Sequence, residues 1–127
     1  MPRDFKNIKA WQYYDDLAVL VYSKTRSFPK EELYGITSQL RRAAISVPTN
    51  IAEGAGREHK REYLHFLYVA RSSIAEAEYL LHLSRRVGYL KDNEYKKVEE
   101  LREETAKTLQ GLINSVKKEV KKTEDLS

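Results

Sequence analysis

Apolar residues recur at intervals of three and four through most of this chain, a spacing that predicts helices and not strands. The stretch from Tyr34 to Arg57, YGITSQLRRAAISVPTNIAEGAGR, departs from an ordinary amphipathic helix. Ile36, Leu40, Ala43, Val47 and Ile51 form one apolar stripe, and Ala44, Ile45, Pro48, Ala52 and Ala55 widen it around the back. A polar line of Gln39, Arg42, Ser46, Asn50, Glu53 and Arg57 keeps the same period, roughly a quarter to a third of a turn away. A helix that is apolar on two sides is buried on two sides. In a chain this short the second side is expected to face another subunit. Ile45, Pro48 and Ala52, with Gln39, Ser46, Asn50 and Glu53 of the polar line, are its candidate contacts.

Pro48 has no amide proton and its ring presses on the carbonyl of Ala44. Both stripes stay in phase across it, which predicts one bent, continuous helix. The alternative is a second helix with Pro48 in its first turn.

The first helix is expected over 7–26, with Ile8, Trp11, Ala18, Val21, Tyr22 and Thr25 facing inward and Tyr14 and Leu17 broadening that face. Phe28-Pro29 ends it, and Gly35 redirects the chain into the second helix, over 36–56. The third, over 60–87, carries a seven-residue repeat through Phe66/Leu67, Ala70, Ser73/Ile74, Ala77, Leu80/Leu81, Ser84 and Val87. The fourth, over 92–121, continues it through Val98, Leu101, Thr105, Leu109, Leu112, Val116 and Val120, with fraying expected from Thr123. The expected fold is all-α: a single domain over 1–127, an antiparallel up-down-up-down four-helix bundle with a kinked second helix, assembling into a ring.

Composition narrows the chemistry. Charged residues make up 33% and hydrophobic ones 41%, and no apolar run approaches the roughly 18 residues a membrane helix needs. The first residues, MPRDFKNIKAW, lack the apolar centre of a signal peptide, so a cytoplasmic protein with no membrane partner is expected. With no cysteine there are no disulfides, thiol nucleophiles or cysteine metal sites. Asp15 and Asp16 are adjacent and diverge on a helix, so they form no catalytic pair. His59, His65 and His82 make no metal or triad constellation. No catalytic residue, metal or cofactor is assigned.

The net charge of +4 and pI of about 9.2 permit phosphate contacts without demanding them. The candidate phosphate or partner contacts are Arg41, Arg42, Arg57, Lys60 and Arg61. The C-terminal lysines Lys117, Lys118, Lys121 and Lys122 join them. Asn50 and Glu53 are expected to brace the arginines, in a ladder Asn50–Glu53–Arg57.

The order QLRRAA, S-x-P and NIAEG-x-GR within 34–57 carries a family resemblance, with FP at 28–29, FLYVARSSIAEAE at 66–78 and GYL at 88–90. From about Phe5 to Val116 the chain resembles the bacterial four-helix-bundle proteins encoded in intervening sequences of 23S ribosomal RNA genes. Gln39, Arg41, Arg42, Ser46, Asn50, Glu53, Gly54 and Arg57 match that motif. Ser72 departs from it, standing where relatives often have glycine. The resemblance implies a left-handed bundle in a ring, a homopentamer, with RNA or DNA as partner. A related group, the accessory proteins of diversity-generating retroelements, works with a reverse transcriptase, which suggests that enzyme or another protein as a partner.

The expected function is a non-enzymatic homo-oligomeric scaffold or adaptor for nucleic acid or a nucleic-acid enzyme. One alternative is a purely structural oligomer, with or without a small-ligand site in its ring. The other is a helical-bundle RNase with an Arg-x(4–6)-His pair, a spacing that Arg57, Arg61 and His65 miss.

Overall fold

The computed structural model describes residues 4, 5, 8 and 11–126. Its helices are α1 (Trp11–Thr25), α2 (Ile36–Ala55), α3 (Lys60–Arg86) and α4 (Asp92–Leu126), with a 3₁₀ turn at Lys30–Glu32. The expected start of the first helix, at 7, lies outside the described residues.

Each helix packs on its neighbours in sequence, α1 closes on α4, and among the described residues the diagonal pairs stay apart. That is the contact pattern of an up-down four-helix bundle. No helix among the described residues is long and apolar enough to cross a membrane.

The core has two parts. One half gathers Leu17, Val21, Leu40, Ala44, Leu81 and Val98 around Phe28 and Leu90. The other gathers Tyr14, Val47, Ile51, Tyr63, Leu67, Leu109 and Ile113.

The inward face of α1 is centred on Tyr14, Leu17, Val21 and Thr25, not on Trp11 and Tyr22. Tyr22 is 39% exposed, and Trp11 sits at the margin, 4.6 Å from the Phe5 ring. Spacings of three and four from Tyr14 reach Thr25, whereas Trp11 and Tyr22 both lie roughly a quarter of a turn to one side of that line. The seam of α4 also shifts. Arg102 and Ile113 are buried in it, while Leu101 and Leu112 are half-buried beside it.

α2 runs unbroken through Pro48. Val47 and Ile51, on either side of the proline, are fully buried, so tertiary packing holds the helix across its missing hydrogen bond. The expected fraying from Thr123 is not seen, and α4 remains helical to Leu126. Its last turns are tied to the start of α3 by ion pairs from Lys60 to Glu119 and from Arg61 to Glu124.

α2 and α3 make the most extensive pair. A Cβ at Gly54 would lie 2.8 Å from Phe66 Cβ and 2.9 Å from Tyr63 Cδ1, so the approach of α3 requires glycine there.

Candidate functional site

Two groups of basic residues emerge, set apart by the length of α2. Arg41 and Arg57 are sixteen residues apart, roughly 24 Å along the helix.

Near the start of α2, Arg41 is half-buried and used within the chain. Its Nε donates to Thr25 Oγ1 at 2.8 Å, and its guanidinium lies 4.6 Å from the centre of the Tyr22 ring. The residue singled out as a phosphate contact therefore bridges α2 to α1. Arg42, one position on, points to solvent, and among the described residues it has no ion pair.

The other group lies where α2 ends, α3 begins and α4 finishes. Arg57 Nη2 pairs with Glu53 Oε1 at 2.9 Å, and Nη1 with Glu62 Oε2 at 3.9 Å. The same guanidinium lies 4.9 Å from the centre of the Phe66 ring. Lys60 Nζ is 3.5 Å from Glu119 Oε2, and Arg61 pairs with Glu124. A groove of about 370 Å³ between α3 and α4 is lined by Glu58, His59, Lys60, Arg61, Val120, Thr123 and Glu124. Its neighbour, about 380 Å³, adds Leu64, Lys117, Lys118 and Lys121. These three lysines are exposed and carry no ion pair among the described residues.

Residues distant in sequence thus form one patch in which arginines and Lys60 are neutralised locally and the α4 lysines are not. A third hollow brings His65 beside Arg57 and Arg61. Among the described residues no three His, Asp or Glu side chains are placed to hold a metal ion.

The polar line of α2 separates into two parts. Asn50 Nδ2 donates to Ser46 O and Ser46 Oγ, both at 2.8 Å, and Ser73 Oγ of α3 donates to Ser46 Oγ at 2.8 Å. Glu53 bonds Arg57 one turn later. The expected ladder therefore breaks between Asn50 and Glu53: Asn50 ties back to Ser46 and α3, and only Glu53 braces an arginine. Gln39 is exposed. Ile45 is 40% exposed, and Pro48 and Ala52 share a shallow groove with Phe5 and Trp11. The second apolar side of α2 is thus only partly covered, exposed at Ile45 and half-buried at Pro48 and Ala52.

Arg102 carries the polar network that sequence reasoning missed. It is 8% exposed, yet its Nη2 reaches Glu99 Oε1 at 2.6 Å and Glu78 Oε2 at 3.2 Å. Hydrogen bonding to Glu99 raises its pKa, against the opposing effect of burial, so it stays charged. The available signal was an arginine at a seam position of a helix with Glu99 three residues before it.

A family model described as "23S rRNA-intervening sequence protein" matches residues 6–111. No curated protein sequence matches the chain. A solved structure from Bacteroides thetaiotaomicron, a protein of unknown function from the S23 ribosomal protein family, superposes with a TM-score of 0.74 at 22% identity. The match covers 82% of this chain and 97% of that one, and at this identity it speaks for the shared bundle fold.

Proposed function

The chain belongs to the 23S rRNA-intervening sequence protein family, and from that premise we propose a non-enzymatic, self-associating scaffold that contacts nucleic acid through the lysine-bearing end of its bundle. The observation that carries this reading is the convergence of Lys117, Lys118 and Lys121 with Arg57, Lys60 and Arg61 at one end. Carboxylates already engage Arg57, Lys60 and Arg61, so the α4 lysines are the cations available to a phosphate backbone at no cost in broken pairs.

Self-association through the outer side of α2 is the second half of the proposal. Ile45 is exposed, and Pro48 and Ala52, half-buried beside Phe5 and Trp11, extend it into an apolar surface. The family resemblance favours a five-membered ring. Likeness to the accessory proteins of diversity-generating retroelements makes a reverse transcriptase the enzyme such a ring would serve.

The test is light scattering with fluorescence anisotropy on a short single-stranded RNA. A ring mass is expected, with RNA affinity falling as salt rises with a log–log slope of about −2 for three phosphate contacts. Charge reversal of Lys117, Lys118 and Lys121 should abolish binding and leave the mass unchanged. A monomeric mass refutes the scaffold. Absence of binding at low salt, or binding indifferent to the three reversals, refutes the nucleic-acid surface.

A further inference from the structure

The groove that holds Lys117, Lys118 and Lys121 is not purely basic. Leu64 of α3 and Val120 of α4 give it an apolar floor, and both are half-buried against the core. Its one carboxylate, Glu124, is paired with Arg61. Contacts to phosphates alone need cations and hydrogen-bond donors, not an apolar floor.

The same side of α3 continues past the groove. Tyr68 lies one turn beyond Leu64, half-buried on the same half of the core, and Arg71 follows three residues later. The antiparallel register is fixed by Lys60 against Glu119 and Arg71 against Gln110. Tyr68 and Arg71 therefore run beside the part of α4 that precedes the lysines. From Gln110 to Lys121 is about 16 Å along the helix.

Arg71 is held in one orientation. Its guanidinium lies 4.9 Å from the centre of the Tyr68 ring, and its Nη1 donates to Gln110 Oε1 at 3.2 Å. Gln110 Nε2 donates in turn to Asn114 Oδ1 at 3.0 Å. Two other arginines that lie on rings are neutralised: Arg57 on Phe66 pairs with Glu53 and Glu62, and Arg85 on Tyr95 pairs with Asp92. Arg71 is exposed, and among the described residues no carboxylate pairs with it. A planar cation with one side on a ring and its charge uncommitted is a surface on which a nucleobase stacks.

A duplex hides the faces of its bases and offers this groove only phosphates. A single strand offers phosphates and base faces together. We propose that the α3–α4 groove takes single-stranded nucleic acid in preference to a duplex, with the α4 lysines on its phosphates and a base stacked on the side of the Arg71 guanidinium away from Tyr68. This rests on the reading of the α4 lysines as phosphate contacts and adds which form of nucleic acid they meet.

The experiment is fluorescence anisotropy of the full chain with a labelled oligoadenylate, and with its duplex of the same length, at one fixed salt concentration. The strand should bind about tenfold more tightly than the duplex. Arg71→Lys keeps the charge and removes the planar face. It should weaken the strand several-fold and leave duplex affinity and the salt slope unchanged. Tyr68→Phe keeps the ring under the guanidinium and should bind the strand as the wild type does. Charge reversal of Lys117, Lys118 and Lys121 should remove both ligands. Equal affinity for strand and duplex overturns the proposal, as does wild-type strand binding by Arg71→Lys or an equal loss of strand and duplex in that variant. The lysine reading survives these results so long as the three reversals still abolish binding. Failure to bind either ligand overturns both.

Discussion

Gly54→Ala sets two effects of opposite sign against each other. In a helix interior alanine is ordinarily better than glycine by about 1 kcal/mol. At Gly54 the added methyl would sit 2.8 Å from Phe66 Cβ, 2.9 Å from Tyr63 Cδ1 and 3.2 Å from Tyr63 O. Two of these atoms are backbone or the first side-chain carbon, so no rotamer change removes the clash, and α3 must move away from α2. Overpacking of this kind costs about 1–3 kcal/mol, and here it opens the most extensive helix pair in the fold. With the propensity gain subtracted, the expected net loss is up to about 2 kcal/mol, which for 127 residues lowers Tm by up to about 7 °C. Gly111→Ala is the matched control. It lies in α4 with nothing within 4 Å of the added Cβ, so it should stabilise by about 0.5–1 kcal/mol. Both variants are melted by circular dichroism at one fixed protein concentration, since self-association would otherwise shift Tm. If Gly54→Ala gains stability as Gly111→Ala does, the close approach of α3 at this glycine is wrong.

Arg41→Ala removes a hydrogen bond and a cation–π contact between α1 and α2 and should cost about 1–2 kcal/mol in urea unfolding. An unchanged midpoint would return Arg41 to the surface. Arg102→Ala should cost about 2–3 kcal/mol by the same measurement, because it strips two carboxylates of their buried partner. Glu78→Gln, at a half-exposed site, should cost under about 1 kcal/mol, and equal losses would contradict the burial of the arginine. Burial raises the Tyr14 pKa above 10.0, partly opposed by Thr108, and the hydrogen bond to Glu32 raises that of Tyr89. Folded values above the unfolded one give stability that is complete below about pH 10 and lost as pH rises through the folded values. Melting from about pH 9 to 11.5 should therefore decline more steeply in the wild type than in Tyr14→Phe, and parallel curves would refute the burial effect.

The sequence by itself determined that the chain is four helices and where they turn. Three- and four-residue spacing is local, and the breaks at Phe28-Pro29, Gly35 and Gly88 are backbone restrictions that no tertiary contact has to supply. It also marked α2 as the unusual helix, because Ile45, Pro48 and Ala52 exceed what one buried face needs. Periodicity could not decide the roles of individual polar residues. Arg41 and Arg42 are neighbours in one motif, yet packing turns the first onto Thr25 and Tyr22 and leaves the second in water. Helical spacing alone pairs Asn50 with Glu53, but Ser73 arrives from α3 and joins Asn50 through Ser46. Arg102 meets its second carboxylate only because α3 brings Glu78 to it. The grouping of Lys60 and Arg61 with lysines nearly sixty residues away follows from the antiparallel return of α4. So does the placing of Arg71 against Gln110. A helix's face is set by angles along one axis. What meets that face is set by how the helices pack against one another, and that depends on the tertiary structure.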